Sequence, residues 1–92
     1  MGSVSLPANK EEFYIQLCFG WNDQYCDEWI IPANCAYSSN VSPRYYSGGY
    51  YASNSDYGVY NIEVYNSIAK VNSCSRNGVN KTADSILKVY YR

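Results

Sequence analysis

Residues Pro43 to Tyr60, PRYYSGGYYASNSDYGVY, carry six of the twelve tyrosines in this 92-residue chain. Small and turn-forming residues stand between them, together with two charges, Arg44 and Asp56. Gly48-Gly49 lies between two tyrosine pairs and predicts a two-residue hairpin turn, because glycine adopts the positive φ that such turns require. Tyrosine pairs on both sides of a turn suit a pleated, half-exposed surface. The stretch therefore predicts a tyrosine-lined β-hairpin.

The same tyrosines have two interpretations. They can cover the edges of a small core, or they can form a binding surface. Antibody binding loops use this mixture of Tyr, Ser, Gly and Asn, since tyrosine gives a large contact area with few rotatable bonds and the small residues give adaptable hydrogen bonds. The candidate binding residues are five tyrosines of this stretch and both tryptophans: Tyr45, Tyr46, Tyr50, Tyr51, Tyr57, Trp21 and Trp29.

The size and composition of the chain indicate one small globular domain. A chain of this length buries only about 60–65% of its unfolded surface, so its core needs further stabilisation. No run of 18 apolar residues is present, so no membrane span is expected. The net charge of −1 gives no strong field toward nucleic acid, and no nucleic-acid partner is expected. We expect a monomer with a flexible lead-in over residues 1–10 and a single all-β domain over residues 11–92. Met1-Gly2-Ser3 is interpreted as an expression-vector remnant ahead of a mature secreted chain.

Alternating apolar and polar residues predict short strands along most of the chain. The clearest runs from Glu12 to Trp21, and others are expected over residues 28–33, 58–65, 68–74 and 85–91. Arg76-Asn77-Gly78 is a strong turn signal. A helix from Asn61 to Ser75 is the competing interpretation, since apolar residues also recur there at helical spacing. Val, Ile, Tyr and Asn are poor helix formers, so strands are preferred.

The two halves of the chain are similar to each other. Trp29 to Cys35 aligns with Ile68 to Cys74 at an offset of 39, and Tyr50-Tyr51 aligns with Tyr90-Tyr91 at an offset of 40. A period near forty with about four short strands per unit predicts a duplicated motif packed face to face. The predicted fold is therefore all-β: two four-strand Greek-key-like motifs packed as a small disulfide-stapled sandwich.

Four cysteines in so short a chain predict two disulfides and an oxidising, extracellular compartment. The duplicated fold favours Cys18–Cys26 across a turn, where the Cα atoms can come within disulfide range, and Cys35–Cys74 after matching strands. The pairing Cys18–Cys74 with Cys26–Cys35, and the crossed pairing, remain possible. The chain has no histidine and no C-x-x-C pair, so neither a metal site nor a cofactor is expected.

Three segments carry a family resemblance. The strand ending at Cys18, the turn to Cys26 and the run from Glu28 to Cys35 resemble the small secreted cysteine-containing proteins of fungi. Asn66-Ser-Ile-Ala-Lys-Val71 and Asp84-Ser-Ile-Leu-Lys-Val89 are similar to strands of βγ-crystallin Greek-key domains, a fold that some fungal killer toxins and effectors share. The resemblance implies a Greek-key domain of toxin or effector type. Cys26 replaces the hydroxyl ligand of that family's calcium pattern, so calcium is not expected, and a six-stranded fungal effector sandwich is the alternative fold.

Catalysis is not expected from the residue types present. Nucleophilic catalysis usually needs a base within hydrogen-bond reach, and histidine, the usual base, is absent. The one carboxylate cluster is Asp23, Asp27 and Glu28, set among aromatic residues. A glycosidase needs two carboxylates across a sugar, so a weak cell-wall glycan hydrolase using this loop is the enzymatic alternative. A solvated acidic loop is the simpler interpretation, and no catalytic residue is assigned.

The sequence thus predicts a small secreted, disulfide-stapled binding protein of effector or toxin type. Its expected target is a host or competitor protein or a cell-wall glycan. A structural subunit that packs through its tyrosine-rich strands is a further alternative.

Overall fold

The computed structural model describes residues 3–20, 24–37 and 42–92. Strands account for most of the described chain, with one short helix, α1, over Ala33–Tyr37 and one 3₁₀ turn over Thr82–Asp84. The strands are β1 Ser3–Ser5, β2 Glu12–Phe19, β3 Tyr25–Pro32, β4 Arg44–Ser53, β5 Asp56–Tyr65, β6 Ile68–Arg76, β7 Val79–Asn80 and β8 Ile86–Tyr91. None of the described helices is long and apolar enough to span a membrane.

The strands form two antiparallel sheets, and the predicted all-β sandwich is confirmed. Sheet A has five strands in the order β1-β6-β5-β4, with β7 also paired to β6, and sheet B has three in the order β3-β2-β8. The strands are thus divided five and three, where the sequence predicts four and four. The reason is that β2 pairs with β8 from the far end of the chain, so neither half of the sequence forms a sheet alone. The matching segments are also not equivalent, since Trp29 to Cys35 ends β3 and enters α1, whereas Ile68 to Cys74 lies within β6.

The core lies between the inner faces of the two sheets. Alternate residues of β2, the central strand of sheet B, are at most 1% exposed: Phe13, Ile15, Leu17 and Phe19. Facing them from sheet A are buried residues of β5 and β6: Tyr60, Ile62, Val64, Ala69, Val71 and Cys74. The two-residue alternation seen in the sequence is the direct consequence of one buried face per strand.

The segment from Asn61 to Ser75 forms two strands and not the competing helix. Its turn residues, Asn66 and Ser67, both have positive φ (53° and 63°), which matches the twist of a tight hairpin. The turn at Asn77-Gly78 has the same feature, with φ of 52° and 77°, and confirms the turn predicted there.

The hairpin predicted at Gly48-Gly49 is wrong. Strand β4 runs straight through both glycines, and the chain turns later, at Asn54-Ser55. The glycines are needed for space: a Cβ on Gly48 would overlap the Asp27 carboxylate and lie 2.6 Å from the Tyr60 ring. A Cβ on Gly49 would lie 2.8 Å from a backbone carbonyl oxygen of β5. Close approach, and not a turn, accounts for this glycine pair.

The lead-in is more ordered than the sequence predicts. Residues Ser3–Ser5 form β1 on the edge of sheet A, and Leu6 is only 4% exposed within the core. Leu6 N–H donates to the carbonyl oxygen of Ser67 at 2.8 Å, and Ser67 N–H donates to that of Ala36 at 2.8 Å. The turn between β5 and β6 therefore joins the start of the chain to helix α1.

One of the two predicted disulfides is formed. Cys18 and Cys26 are bonded, and they are direct cross-strand partners in β2 and β3 with Cα atoms 4.2 Å apart. The predicted Cys35–Cys74 bond is wrong, because both thiols are free. Cys35 adjoins Ala36, which contacts Ser67 in the turn before β6, whereas Cys74 lies six residues beyond Ile68, the first residue of that strand. At ~3.3 Å per residue this is about 20 Å, well beyond disulfide reach.

Peptide mapping without reduction should recover Cys18 linked to Cys26, with Cys35 and Cys74 as thiols. Burial raises the pKa of the Cys74 thiol to about 11. In the folded protein at about pH 8, iodoacetamide should therefore label half-buried Cys35 well before Cys74, since the thiolate is the reactive form. In denaturant the two rates should converge. A peptide joining Cys35 to Cys74 would contradict the structure.

Candidate functional site

The outer face of sheet A gathers the exposed part of the tyrosine stretch. Tyr45 and Tyr51 of β4 are 54% and 70% exposed, and Val59 of β5 is 59% exposed. Because side chains alternate along a strand, residues at odd positions of β4 and β5 share this face. The tyrosine face is defined here by the following residues of β4, β5 and β6: Tyr45, Ser47, Gly49, Tyr51, Tyr57, Val59, Asn61, Ser73 and Ser75.

The tyrosine face carries its aromatic rings toward its ends. Tyr51 and Tyr57 are direct cross-strand partners at one end, with ring centroids 6.4 Å apart. Tyr45 lies six residues from Tyr51 on the same strand, which corresponds to about 20 Å. Small side chains cover the space between them: Ser47, Asn61 and Ser73 in one cross-strand row, and Gly49, Val59 and Ser75 in the next.

Polar groups of the tyrosine face have few partners within the protein. Asn61 Nδ2 donates to Ser47 Oγ at the long distance of 3.5 Å, and Asn61 Oδ1 accepts no hydrogen bond from the described residues. Tyr51 donates its hydroxyl proton to Asn54 in the adjacent turn. Beside Tyr45, Glu63 pairs with Lys70 at 3.3 Å, so the charges at this end are balanced. The face thus offers aromatic rings, hydroxyls and an amide with little net charge.

The other candidate binding residues lie elsewhere. Tyr46 and Tyr50 point into the sandwich and pack against its core, as does half-buried Trp29, whose ring meets the Tyr60 ring edge-on at 6.3 Å. Trp21 lies outside the described residues. Of the seven candidates, the structure brings together Tyr45, Tyr51 and Tyr57. Each Tyr-Tyr pair of β4 is split, one ring outward and one inward, as strand alternation requires.

Tyr50 belongs to a polar cluster between the sheets that the sequence did not reveal. Its ring stacks on Tyr25 with centroids 4.2 Å apart and planes within 8°. Both hydroxyls donate to the Asp56 carboxylate, at 3.0 Å from Tyr50 and at 2.9 and 3.0 Å from Tyr25. The Arg76 guanidinium donates to Asp56 at 3.3 Å and lies over the Tyr25 ring. These residues are up to 51 positions apart in the chain, so no local pattern could have indicated the cluster.

The cluster shifts the protonation of its members. Burial acts to raise the pKa of Asp56, but the hydrogen bonds from Tyr25, Tyr50 and Arg76 outweigh it, and the pKa is lowered. Burial, followed by the bond to Asp56, raises the pKa of Tyr50 to about 12. Burial and a 2.8 Å bond to Asp27 likewise raise the pKa of Tyr60. Asp56 is therefore held ionised and the Tyr50 and Tyr60 phenols are held neutral, which suits a structural role.

The acidic residues considered for glycan hydrolysis are not brought together. Asp27 and Glu28 lie within strand β3, where successive side chains point to opposite faces. Asp27 accepts the Tyr60 hydroxyl bond inside the sandwich, whereas Glu28 accepts a bond from Tyr14 on the outer face of sheet B. Asp23 lies outside the described residues. Asp27 and Glu28 therefore cannot act from the two sides of one sugar.

Two concave sites on the described surface are small. One pocket, of about 160 Å³, lies on sheet A between Glu63 and Lys70. The other, of about 190 Å³, lies on sheet B beside Tyr14 and Tyr90. Small-molecule sites usually measure about 300–1,000 Å³. Within the described residues, no group of acidic or cysteine side chains is arranged to hold a metal ion. Neither of these two pockets reaches the usual size of a small-molecule site.

No protein-family model, curated protein sequence or solved structure matches the chain. Its function is therefore argued from the geometry described above.

The opposite orientations of Tyr50 and Tyr51 can be tested by substituting each in turn. Tyr50→Ser should lower the free energy of unfolding by about 2–4 kcal/mol, because it empties a packed inter-sheet position and leaves Asp56 with one donor fewer. Tyr51→Ser should change it by less than about 0.5 kcal/mol, since Tyr51 is exposed. Urea unfolding of both variants measures the difference. Equal losses would show that the two tyrosines do not face opposite sides.

Asp56 should make the fold sensitive to acid. Its pKa is lower in the folded than in the unfolded chain, so its contribution is present above the unfolded value near 3.8 and is lost as the pH falls through the folded value. Asp56→Asn should therefore be less stable than wild type at neutral pH, and this difference should shrink toward about pH 2. Denaturant unfolding across this pH range measures it. The matched control is exposed Asp84→Asn, and an equal pH dependence in both variants would contradict the role of Asp56.

Proposed function

We propose that this chain is a secreted, non-enzymatic binding protein of effector or toxin type, and that the tyrosine face of sheet A contacts its target. The target is a protein, or a cell-wall glycan, of a host or competitor organism. The observation that carries the proposal is the tyrosine face itself, where large exposed rings flank a row of small residues.

The composition of the tyrosine face supports recognition of a macromolecule. Tyrosine is enriched among the residues that dominate protein interfaces, and it loses little conformational entropy on binding. Monomeric proteins do not need large exposed rings for stability, and the fold already buries its own set between the sheets. The Ser47, Asn61 and Ser73 row supplies polar groups between the rings. A rigid sheet also presents these groups with less ordering cost than a loop would.

A protein target is favoured over a glycan on grounds of shape. The face is about 20 Å long between Tyr45 and Tyr51, a span that suits the broad patch of a protein interface. Its Glu63–Lys70 ion pair at one end can form part of the polar rim of such an interface. A glycan remains the second candidate, because exposed rings with neighbouring hydroxyls also suit sugar stacking.

The disulfide is the basis for proposing an oxidising, extracellular compartment. Cys18–Cys26 closes the β2–β3 hairpin, and such bonds persist in oxidising environments. The resemblance to small secreted fungal proteins and to the βγ-crystallin-like toxins rests on the sequence segments described above, and it supports the toxin or effector class.

Binding to cells tests the proposal. Fluorescently labelled protein would be titrated onto intact fungal and plant cells, and onto chitin and β-glucan particles. The double variant Tyr45→Ser with Tyr51→Ser should weaken binding at least about tenfold, because it removes the two most exposed aromatic rings of the face. Loss of the signal after protease treatment of the cells would identify a protein target, and retained binding to the polysaccharide particles a glycan.

The matched control is the double variant Tyr90→Ser with Tyr91→Ser on β8 of sheet B, whose side chains are 56% and 52% exposed. Its binding should stay within about twofold of wild type. Equal weakening by the two double variants, or none by the first, would contradict the assignment of the tyrosine face. Melting temperatures of both variants would confirm that each is folded.

A further inference from the structure

Strand β4 is a long sheet edge with few of the usual protective features. Among the described strands it pairs with β5 alone, so its other side presents unpaired backbone groups over residues Arg44–Ser53. Native edge strands are usually short, charged or interrupted by proline. The edges β1 and β7 have three and two residues, β3 contains Pro32, and β8 carries Lys88. Strand β4 has ten residues, no proline and a single charge at its first residue.

The sequence of this edge reads nearly the same in both directions. Around Gly48 the order is Tyr-Tyr-Ser-Gly-Gly-Tyr-Tyr, with a small residue on each side of the centre and a tyrosine pair beyond it. An antiparallel pair of identical strands is related by a two-fold axis, so each residue meets its mirror position in the partner. Centred on Gly48, Tyr45 meets Tyr51 of the second copy, and Tyr46 meets Tyr50.

Strand alternation selects this register. Directly opposite residues in an antiparallel pair point to the same side of the sheet. Tyr45 and Tyr51 both point outward and Tyr46 and Tyr50 both point inward, so the register centred on Gly48 matches faces as well as sizes. Centring on Ser47 or Gly49 would place tyrosines opposite small residues. The only charge, Arg44, would face Ala52, so no like charges meet.

We propose that two copies of this chain associate through their β4 edges, antiparallel and centred on Gly48, into one continuous ten-stranded sheet. This replaces the monomer expected from the sequence and does not depend on the proposed target. The pairing satisfies the open backbone groups and creates four aromatic cross-strand pairs, the kind of contact that stabilises sheets. The two tyrosine faces then lie side by side on one surface. A dimer of this kind is bivalent, which increases avidity for a multivalent target.

Disulfide trapping tests the register. The double variant Tyr45→Cys with Tyr51→Cys should form a covalent dimer under mild oxidation, because the two new thiols lie opposite each other only across the interface. Within one chain they are about 20 Å apart and cannot bond. Each single variant should stay uncrosslinked. In this register residue 45 of one copy lies about 20 Å from residue 45 of the other, and the same holds for residue 51. Wild type, with its native thiols, is the background control.

A charge introduced on the β4 edge tests whether the dimer forms through this edge. Sedimentation or light scattering should give a concentration-dependent dimer for wild type. Ser47→Lys should raise the dissociation constant at least about tenfold, because it places two like charges beside the two-fold axis. Ser73→Lys adds the same charge to the same face but on interior strand β6, and it should leave the constant within about twofold.

The results of the two experiments either support or overturn the β4-edge dimer. Crosslinking by the double variant alone, with loss of the dimer in Ser47→Lys only, supports the proposal. A monomer at all concentrations up to about millimolar, or crosslinking by either single variant as strong as by the double variant, would overturn it. Peptide mapping of the crosslinked species must join the two engineered positions, and a bond through Cys35 or Cys74 would count against it. Circular dichroism spectra like that of wild type would show that each variant is folded.

Discussion

The packing of β2 against β5 is the contact on which the rest of the molecule depends. Strand β2 is the middle strand of sheet B and β5 is an interior strand of sheet A, and each buries alternate side chains on one face. A shift of one residue in either strand would turn its apolar face to solvent, so the register is fixed by burial. The orientation of β4 follows from its pairing with β5. That pairing decides which tyrosines become part of the core and which remain available for binding.

Two carboxylates that point between the sheets, those of Asp56 and Asp27, both accept hydrogen bonds. Asp56 accepts from two tyrosines and one arginine, and Asp27 accepts from Tyr60 and from the backbone N–H of Glu28. A buried carboxylate without donors would be strongly destabilising. The absence of a side chain at Gly48 provides the room for Asp27, so a residue that the sequence associates with a turn serves inter-sheet packing. Tyrosine suits both layers of this fold, since its ring fills apolar space and its hydroxyl can donate.

Features set by local patterns could be predicted from the sequence, and features set by distant contacts could not. Alternation along β2 and β5, the turn at Asn77-Gly78 and the Cys18–Cys26 bond each follow from neighbouring residues, and all were predicted. The Gly48-Gly49 pair has the local signature of a hairpin turn. The glycines are needed, however, because Asp27 and the Tyr60 ring approach Gly48, and the backbone of β5 approaches Gly49. The Cys35–Cys74 prediction was wrong because it assumed equivalent halves, whereas β2 and β8 join opposite ends of the chain. For the site, composition identified the tyrosines, but the alternation of β4 was needed to separate Tyr45 and Tyr51 from Tyr46 and Tyr50.

The pairing of β2 with β8 also constrains how the chain reaches its native state. Residues 13–18 meet residues 86–91, so sheet B cannot be completed until nearly the whole sequence has been synthesised. The β4–β5–β6 meander, in contrast, contains mostly local pairings and can form early. Closing so long a loop before its contacts are gained makes folding slow, and the apolar side of the meander stays open meanwhile.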